Sequence, residues 1–493
     1  MEIWQIILIA LACVIAAAIV ITLIRAAFFK PKSGGEKIAL TEEEVDAARA
    51  QEHISKAIQF KTISNPDPSL VDWNEFEKFH DFLRREYPLI HKKLECEEVG
   101  QASLVYRWKG CDPSLEPMAM LAHQDVVPVA EGTLDDWEHP PFEGINDGKF
   151  IWGRGAMDMK NHLICVLEAV ETLLEEGYEP ERDVYICLGH NEEIVATPDS
   201  GAMQIANLLE ERGIHLDSVL DEGGAILPAK VHGVIDKYLA GVGVAEKGAA
   251  DYQITVRAKG GHSSQPPKHT ALGEIAQVTL DLENHPCKPR MLPITRDMFE
   301  IIGRNTSYPA RLVMCNFRFL TPLIKRILLK IPAAATFIHS TTAVTMAEGS
   351  PQCNVLPQKA SVTANFRILP GDSVQGIREH IQSVVKNKQI EIEFLKGKEP
   401  SKISPQDSRA FQAIKSICEA SNPDNIVAPF LVMGGTDSYH YENVCDNIYR
   451  FSPFTVDLSL VMCTHGTNER LPVGSIPEAL KFFKRYIRTV SGK

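Results

Sequence analysis

The sequence predicts an α/β fold that carries an inserted α+β domain and follows an N-terminal transmembrane helix. Apolar runs alternate with amphipathic helical stretches over most of the chain, as in sheets whose strands are joined by helices. From residue 247 two segments alternate between apolar and polar residues, which indicates half-exposed strands of a separate sheet. Before both domains, no charged residue occurs from Ile3 to Ile24.

The uncharged run from Ile3 to Ile24 is long enough to cross a bilayer core of roughly 30 Å. A cleaved signal peptide has a basic start and a shorter apolar core. Here an acidic residue precedes the run, and basic residues follow it at Arg25, Lys30 and Lys32. We therefore interpret residues 1–30 as an uncleaved single-pass anchor, with a signal peptide as the alternative. The positive-inside rule favours a cytoplasmic body, and the side of the membrane stays open.

Composition limits the classes of protein to which the chain belongs. Its 493 residues are enough for two or three domains. A hydrophobic content of 44% with 23% charged residues is typical of a globular protein. The net charge of -13 argues against nucleic acid as a partner.

Residues 31–246 form the first part of the predicted α/β domain, after a linker rich in Lys, Gly and Ser at 31–40. Strands are predicted at 117–122, 184–188 and 218–220. Helical periodicity occurs at 161–176 and 200–212, and each of these segments stops at a glycine, a common helix terminator. In such folds the functional groups gather at the strand ends.

Residues 247–390 are predicted to form the inserted domain, a two-layer α+β sandwich. Strands at 251–259 and 359–368 alternate in polarity, and each lies near a helical segment, at 269–284 and 373–385. The α/β pattern resumes at Glu391, so residues 391–493 form the second part of the larger domain. A helix near 476–490 closes the chain.

Candidate catalytic and metal-binding residues follow the predicted strands. His123 ends the first strand, and Asp125 faces the same way two residues later, where it can accept the second ring N–H of a metal-bound imidazole. Glu192 and Glu193 follow the second strand, so that one can ligate a metal while the other takes a proton from water. Taken singly, these patterns also fit a surface histidine beside an aspartate and a solvated acidic loop.

Three further residues complete the candidate site. Asp158 follows a glycine-rich turn, WGRGAM at 152–157, that can carry its carboxylate inward to bridge two cations. Taken alone, however, the pattern favours an N-cap of the next helix. Asp221 ends the third strand, and His465 lies in a short polar segment near the C-terminus. Two histidines with several carboxylates offer mixed nitrogen and oxygen coordination suited to zinc, which favours a hydrolase of amide bonds.

As an ordered set, the segments that carry these residues are highly specific. They are AHQDVVP at 122–128, WGRGAMDMK at 152–160, GHNEE at 189–193, GHSS at 261–264 and HGTNE at 465–469. The chain after the anchor resembles the co-catalytic zinc exopeptidase family, which includes aminoacylase, glutamate carboxypeptidase, succinyl-diaminopimelate desuccinylase and yeast carboxypeptidase S. DEGG at 221–224, the anchor and the long middle domain resemble most the carboxypeptidase S and N-fatty-acyl-amino-acid hydrolase/synthase enzymes. The resemblance implies a phosphorylase/hydrolase-like catalytic domain with an inserted lid.

The resemblance implies two zinc ions per subunit and a role for each ligand. Asp158 would bridge both ions. His123 and Asp221 would complete one site, and Glu193 and His465 would complete the other.

The resemblance also implies catalytic roles. Glu192 would be the general base that later passes the proton to the leaving amine, and Asp125 would orient His123. His262 of the lid would polarise the scissile carbonyl, in several relatives across a homodimer interface. Asn191 departs from the family, whose members often carry Asp there.

The resemblance implies substrate contacts as well. Arg367 and Asn354 match lid positions that grip a substrate carboxylate, which suits the bidentate geometry of arginine. Gly435, in GGTD at 434–437, matches a loop that lines the pocket. An exposed strand arginine remains the plainer interpretation of Arg367, and a polar turn residue after Gly260 and Gly261 remains that of His262.

The substrate is left open by the sequence. Residues 311–344 are rich in Leu, Ile, Phe and Ala, with basic residues interspersed. This stretch fits either lid core with a helical insertion or an apolar channel or membrane-facing surface. A compact pocket favours dipeptides, whereas a channel favours long-chain N-acyl amino acids. An aminopeptidase-type enzyme and a non-catalytic anchored binding protein are the other classes, but the carboxylate-gripping Arg367 and the complete ligand set argue against them.

Overall fold

The structure is a computed structural model that describes residues 2–31, 40–194, 197–387 and 389–492. Most of the linker predicted at 31–40 lies outside these residues.

The helices frame both domains and the N-terminal segment. They are α1 Ile3–Phe28, α2 Ala47–Ile58, α3 Trp73–Glu86, α4 Pro88–Lys93, α5 Lys160–Glu175, α6 Gly201–Glu211, α7 Ala271–Asn284, α8 Pro293–Arg304, α9 Tyr308–Met314, α10 Phe317–Leu328, α11 Pro332–Ala335, α12 Val374–Val384, α13 Arg409–Ser421, α14 Leu458–Val461 and α15 Ile476–Ser491.

The strands build one large sheet and three smaller ones. They are β1 Glu95–Val99, β2 Ser103–Trp108, β3 Met118–His123, β4 Ile145–Asn146, β5 Phe150–Trp152, β6 Val184–Gly189, β7 Ser218–Asp221, β8 Ile226–Val231, β9 Ile235–Glu246, β10 Gly248–Arg257, β11 Gly261–His262, β12 Thr341–Glu348, β13 Val355–Leu356, β14 Lys359–Ile368, β15 Ile390–Lys398, β16 Asn425–Val432, β17 Ile448–Arg450 and β18 Arg470–Pro472.

The large sheet has the order β1-β2-β6-β3-β7-β17-β9-β16, with β8 paired to β9. Its centre is parallel from β6 to β17. Strands β3 and β6 are buried throughout, because successive side chains enter two different cores on the two faces of the sheet. The carboxyl ends of the central strands therefore meet at one edge, which confirms the predicted α/β organisation.

Helix α6, beside the large sheet, and helix α7, of the inserted domain, begin at side-chain caps. Ser200 accepts a hydrogen bond from the backbone N–H of Met203 at the start of α6, and Thr270 caps α7 in the same way. Such caps satisfy N–H groups that have no partner inside the helix. They fix where each helix begins relative to the strand end before it.

The inserted domain is a four-stranded antiparallel sheet of order β12-β14-β10-β15, whose core includes side chains of α7 and α12. In β14 the residues predicted to face inward are buried, and Thr363, Asn365 and Arg367 are half-buried between them. Strand β15 pairs with β10, so the sheet of the inserted domain extends to Lys398 rather than ending at the predicted boundary of 390.

Helices α8 to α11 leave the inserted domain altogether. Among the described residues, its core takes no member from 288–340. Leu292 and Ile294, at the start of α8, belong instead to the core of the large sheet, and α9 packs against α1. Helices α8 to α11 thus form a helical excursion, and the stretch 311–344 joins the inserted sheet only at its end, through β12.

Helix α1 has the length and apolar composition to cross a membrane. Its side chains are exposed along nearly the whole helix, and Ala26 near its C-terminal end is buried. The helix predicted from the uncharged run is therefore present.

Candidate active site

The candidate site lies at the carboxyl ends of three neighbouring strands of the large sheet. His123 is the last residue of β3, Glu192 and Glu193 follow β6, and Glu222 follows β7. Asp158 precedes α5, and His465 precedes β18. Because β6, β3 and β7 are adjacent and parallel, residues that are far apart in sequence meet here.

Asp158 lies between two groups of ligand atoms. Its Oδ1 is 3.1 Å from Nε2 of His123, and its Oδ2 is 3.0 Å from Nε2 of His465. Glu222 Oε1 lies 3.2 Å from the same His123 nitrogen, and Glu193 Oε2 lies 3.0 Å from the His465 nitrogen. Two triads, His123–Asp158–Glu222 and Asp158–Glu193–His465, thus share one carboxylate.

Glu222 takes the position that the family resemblance gave to Asp221. One oxygen of the buried Asp221 accepts from the N–H of Glu222 at 2.9 Å, and the other accepts from the N–H of Ser438 at 2.8 Å. The carboxylate of Asp221 therefore fixes the turn after β7, whereas that of Glu222 reaches His123. Glu222 is thus a candidate ligand that the sequence did not indicate, although it adjoins Asp221, which was predicted.

The side chain of Asp125 contacts the ring nitrogen of His123 that faces away from Asp158. Its Oδ1 is 3.3 Å from Nδ1 of His123, and its backbone oxygen lies 3.0 Å from the same nitrogen. The buried carboxylate also accepts from the backbone N–H groups of Glu192 and Glu193 and from the hydroxyl of Ser64. One side chain therefore orients the imidazole and holds the acidic pair after β6.

The electrostatics of the site reflect crowded carboxylates. Burial raises the pKa of Glu222 to about 8, and the neighbouring charge of Asp158 adds to this effect. Hydrogen bonds to Asp158 and Glu193 raise the pKa of His465 to about 10. Negative charge held this closely in a buried place favours the binding of cations.

The residues present fit metal ions. In each triad the candidate ligand atoms all lie within 4.8 Å of one another. Oε1 of Glu193 is buried and has no hydrogen-bond partner among the described residues, so it is an acceptor that a metal would satisfy. His465 has a φ of 61°, a left-handed backbone conformation that costs energy in any residue with a side chain. Such conformations occur most often at functional sites. Imidazole and carboxylate donors together suit zinc.

Glu192 adjoins the triads without being hydrogen-bonded to them. Its carboxylate oxygen lies within 4.8 Å of ligand atoms of His123 and Glu193. Burial raises the pKa of Glu192 well above its usual range, and the negative charge of Glu222 reinforces the shift. A carboxylate with a raised pKa beside a cation site is suited to accept and return a proton.

A buried ion pair braces the two segments that carry Asp158 and His465. Arg154 donates to Oε2 of Glu469 at 2.6 Å, and both side chains are buried. The other oxygen of Glu469 accepts from the N–H groups of Met157 and Asp158, and Arg154 also donates to the backbone oxygen of His465. Both residues lie inside the motifs quoted from the sequence, but their pairing was not foreseen.

The loop that contains Gly435 lies beside the site. A side chain at Gly435 would come within 2.5 Å of Nζ of Lys398, and one at Gly189 would meet the carboxylate of Asp437 at 2.2 Å. Burial raises the pKa of Asp437 well above its usual range, and Asp221 contributes. Asp437 therefore adds a further buried acid near Glu192 that sequence reasoning did not select.

The candidate residues of the inserted domain are not part of the triads. His262 and Asn354 are exposed and lie in or next to the ribbon of β11 and β13, where the N–H of Ser263 donates to the oxygen of Asn354. Arg367 lies on β14 opposite Ala249, close to the point where the chain enters the inserted domain. Burial lowers the pKa of the Lys247 ammonium group to about 8, and the nearby charge of Arg367 adds to this effect.

Known proteins resemble this chain over most of its length. The model of peptidase family M20/M25/M40 matches residues 119–489. The chain is 37% identical to the probable carboxypeptidase S-like 2 of Dictyostelium discoideum, over 89% of this chain and 84% of that protein. It is 33% identical to the mouse N-fatty-acyl-amino acid synthase/hydrolase PM20D1, over 92% and 90% of the two chains. Yeast carboxypeptidase S is 30% identical, over 89% and 84%.

Solved structures share the fold. An M20 family metallo-carboxypeptidase, Sso-CP2 from Sulfolobus solfataricus, superposes with a TM-score of 0.65 at 17% identity, over 90% of this chain and 99% of that one. Human carnosine dipeptidase 1 has a TM-score of 0.59 at 14% identity, over 90% and 96%. The fold class predicted for the catalytic part is thereby confirmed. The match of the family model and the identity to the curated relatives show that this chain is a zinc peptidase or amidohydrolase of peptidase family M20/M25/M40.

Proposed function

We propose that the protein is a di-zinc hydrolase that cleaves an amide or peptide bond next to a free carboxylate. The observation that carries this proposal is the pair of triads that share Asp158. A shared carboxylate between two histidines is the arrangement expected of a site for two neighbouring cations. In this proposal Glu222 replaces Asp221 as a ligand, and Asp221 supports the turn that presents Glu222.

When bound, the zinc ions would polarise the scissile carbonyl and lower the pKa of water. The residues of the chain would then move the protons. Glu192 takes a proton from water and returns it to the leaving amine, for which its raised pKa suits it. Asp125 keeps the ring of His123 in one orientation and holds the backbone of Glu192 in place.

The substrate carboxylate is proposed to meet Arg367 and Asn354 of the inserted domain. Lys247 supports this assignment, because its buried ammonium group interacts with the charge of Arg367, so two cationic side chains lie at the junction between the domains. Gly435 would leave room for the substrate beside this junction, since any side chain there would meet Lys398. Substrates without the carboxylate are expected to bind more weakly.

His262 is proposed to act in the site of a partner subunit, with the inserted domain as the dimer interface. Its exposure on the β11–β13 ribbon, apart from the triads, supports this role. Mixing two inactive variants, His262→Ala and Glu192→Gln, tests the proposal. Activity that returns on mixing would support a shared site, whereas two variants that stay inactive when co-purified as a mixed dimer would refute it.

Two substrate classes remain, and a panel separates them. The main candidate is a carboxypeptidase, dipeptidase or short N-acyl-amino-acid amidohydrolase, and the alternative is a hydrolase/synthase of long-chain N-fatty-acyl amino acids. The exposed apolar residues of α9 and α10 favour the alternative, since they adjoin the apolar helix α1. The zinc-loaded full-length enzyme should be assayed with dipeptides and with acyl amino acids from acetyl to oleoyl. Rates that do not rise beyond acetyl would end the alternative.

We also propose that α1 anchors the enzyme in a membrane, with the body on the cytoplasmic side as the flanking basic residues suggest. Its length of 26 residues and its exposed apolar surface support an anchor. Protease treatment of sealed cells tests the side, because a cytoplasmic body stays protected. An N-terminus that begins after residue 30 in the mature protein would instead identify a cleaved signal sequence.

A further inference from the structure

The helical excursion carries an exposed apolar stripe on α10. Phe319, Leu323 and Ile327 are spaced four residues apart, so they lie along one side of the helix. Their exposed fractions are 85%, 53% and 51%, so more than half of each of these large residues is in contact with solvent. The opposite side of α10 faces the body, where the ring of Phe317 stacks on Phe299. A stripe of this kind requires a partner that removes it from water.

The stripe begins where α1 joins the body. Arg25 donates to the backbone oxygen of Cys315 at 2.7 Å and to the side chain of Asn316 at 3.0 Å, immediately before α10. Tyr308, at the start of α9, donates to the backbone oxygen of Leu23. The excursion therefore contacts the last turns of α1, at the level where a membrane-spanning helix emerges from the bilayer.

The charge of the excursion differs from that of the whole chain. Helix α8 carries Asp297 and Glu300, but the rest of the excursion, within residues 301–347, contains no Asp or Glu, and its Lys and Arg residues are Arg304, Arg311, Arg318, Lys325, Arg326 and Lys330, in a protein of net charge -13. Arg318 and Arg326 are exposed and lie one residue before Phe319 and Ile327, so a basic row flanks the apolar stripe. This combination is typical of helices that lie at anionic lipid surfaces.

A basic pocket lies between α1 and the excursion. It has a volume of about 430 Å³ and is lined by four arginines with one acidic side chain: Arg25, Arg296, Arg304, Arg318 and Glu300. Arg304 pairs with Glu300, whereas Arg296 and Arg318 have no ion-pair partner among the described residues. The pocket therefore has unbalanced positive charge beside the end of a membrane helix.

We propose that the α10 stripe rests in the interfacial layer of the bilayer that α1 crosses, and that the basic pocket binds the headgroup of an anionic phospholipid. The inference rests on the proposed anchor but not on the identity of the substrate. The occupant follows from the position of the stripe: Cys315 and Asn316, immediately before α10, contact Arg25 of α1, so the stripe lies next to an apolar helix that we propose to be surrounded by lipid. A docked enzyme would draw acyl substrates from the bilayer, consistent with the alternative substrate class above.

The test uses the full-length protein in lipid vesicles that contain brominated phospholipids, which quench nearby tryptophan. The variant Phe319→Trp is expected to emit additional fluorescence that shallow-brominated lipids quench, beyond the quenching of the wild-type tryptophans. Leu134→Trp is the matched control, because Leu134 is similarly exposed, at 63%, but lies on the catalytic domain. Quenching of the introduced residue at 319 that is no greater than at 134 would overturn the proposal.

The headgroup is tested with vesicles of phosphatidylcholine alone and of phosphatidylcholine mixed with phosphatidylserine. Quenching in Phe319→Trp is expected to be stronger in the anionic vesicles, and adding Arg296→Gln and Arg318→Gln should remove that difference. Equal quenching in both vesicle types before the arginines are changed would refute the headgroup site. Flotation of the wild type with vesicles at alkaline pH checks the anchor, and dipeptide hydrolysis checks the enzyme, so each failure is separately visible.

Discussion

Glu192 is the residue whose replacement separates proton transfer from metal binding. The variant Glu192→Gln keeps the shape of the side chain but accepts no proton, so we expect kcat to fall by about 10²–10⁴-fold. Metal content should stay at the wild-type level, because the two triads that share Asp158 are complete without Glu192, although its carboxylate oxygen also lies within 4.8 Å of ligand atoms of His123 and Glu193. Turnover and bound zinc are measured on the same preparation. Glu179→Gln, an exposed site, is the control, and near-normal turnover in the Glu192 variant would contradict the role.

Glu222 and Asp221 give opposite expectations although they are neighbours. Glu222→Gln should lose about one of the two zinc ions that we propose for each subunit, since its carboxylate reaches His123 directly. Asp221→Asn should keep both ions and weaken their affinity about 10–100-fold, as expected for a group that supports a ligand. Zinc counting after dialysis and competition with a chelator measure the two effects. Loss of an ion in the Asp221 variant with full retention in the Glu222 variant would restore the first assignment.

The sequence indicates the segments that carry the candidate metal ligands, but it does not indicate Glu222 among them. His123 ends a strand, so its direction follows from the alternation of β3. In the DEGG turn two acidic residues are adjacent, and their directions depend on Ser438, which donates to Asp221 from a distant part of the chain. No local pattern contains that hydrogen bond. The direction of the Glu222 side chain therefore follows only from the folded structure, in which the loop after β16 brings Ser438 to Asp221.

Among the structural elements, the turn before α5 and the segment before β18 depend on one ion pair. Glu469→Gln leaves the buried Arg154 without a counter-charge, which costs about 3–5 kcal/mol. It also weakens the hold on Asp158, so zinc affinity should fall about 10–100-fold. Thermal unfolding and chelator competition measure the two effects.

The control for this ion pair is an exposed one. Glu478→Gln breaks the surface contact with Lys481 in α15 and should change stability by no more than about 1 kcal/mol. Equal effects of the two substitutions would show that the Arg154–Glu469 pair does not brace the site.

At the level of elements, the sequence predicts which face of a strand is buried, but it does not predict which strands pair with each other. The alternation of β14 predicts its buried face, and the structure agrees. Strand β15 follows the same rule poorly, because it is an edge strand with mostly exposed residues, and only its pairing with β10 assigns it to the inserted sheet. For residues 311–344 the sequence leaves open lid core with a helical insertion or an apolar channel or membrane-facing surface, because the apolar residues alone do not indicate which core or surface they join.

At the scale of the whole molecule, the chain crosses between the two domains at adjacent points. Glu246 ends β9 immediately before the inserted domain, and Lys398 ends β15 immediately before the return. Glu246 is fully buried, and its carboxylate lies 3.0 Å from Lys398 and 2.6 Å from Arg450, while Thr436 donates to it at 2.7 Å. This network joins the inserted domain, the large sheet and the loop that contains Gly435.

The junction predicts a pH-dependent stability. Burial raises the pKa of Glu246, but the charges of Arg450 and Lys398 outweigh burial and lower it to about 2, from 4.5 in the unfolded chain. Its stabilising charge is therefore fully present above pH 4.5 and is lost as the pH falls from 4.5 towards 2. Glu246→Gln should lower stability by about 3–5 kcal/mol at neutral pH, because Arg450 is left buried and unpaired.

The difference between wild type and Glu246→Gln should therefore shrink across pH 4.5 to 2, since only the wild type loses a charge at this position. Thermal midpoints of both proteins in detergent, measured at steps through this range, test the expectation. Taking the difference removes the titration of all the other carboxylates, which the two proteins share. The exposed Glu210→Gln serves as control and should follow the wild type at every pH. A gap that stays constant through the window would mean that Glu246 is not held ionised by the two cations, and the junction would then owe its rigidity to packing alone.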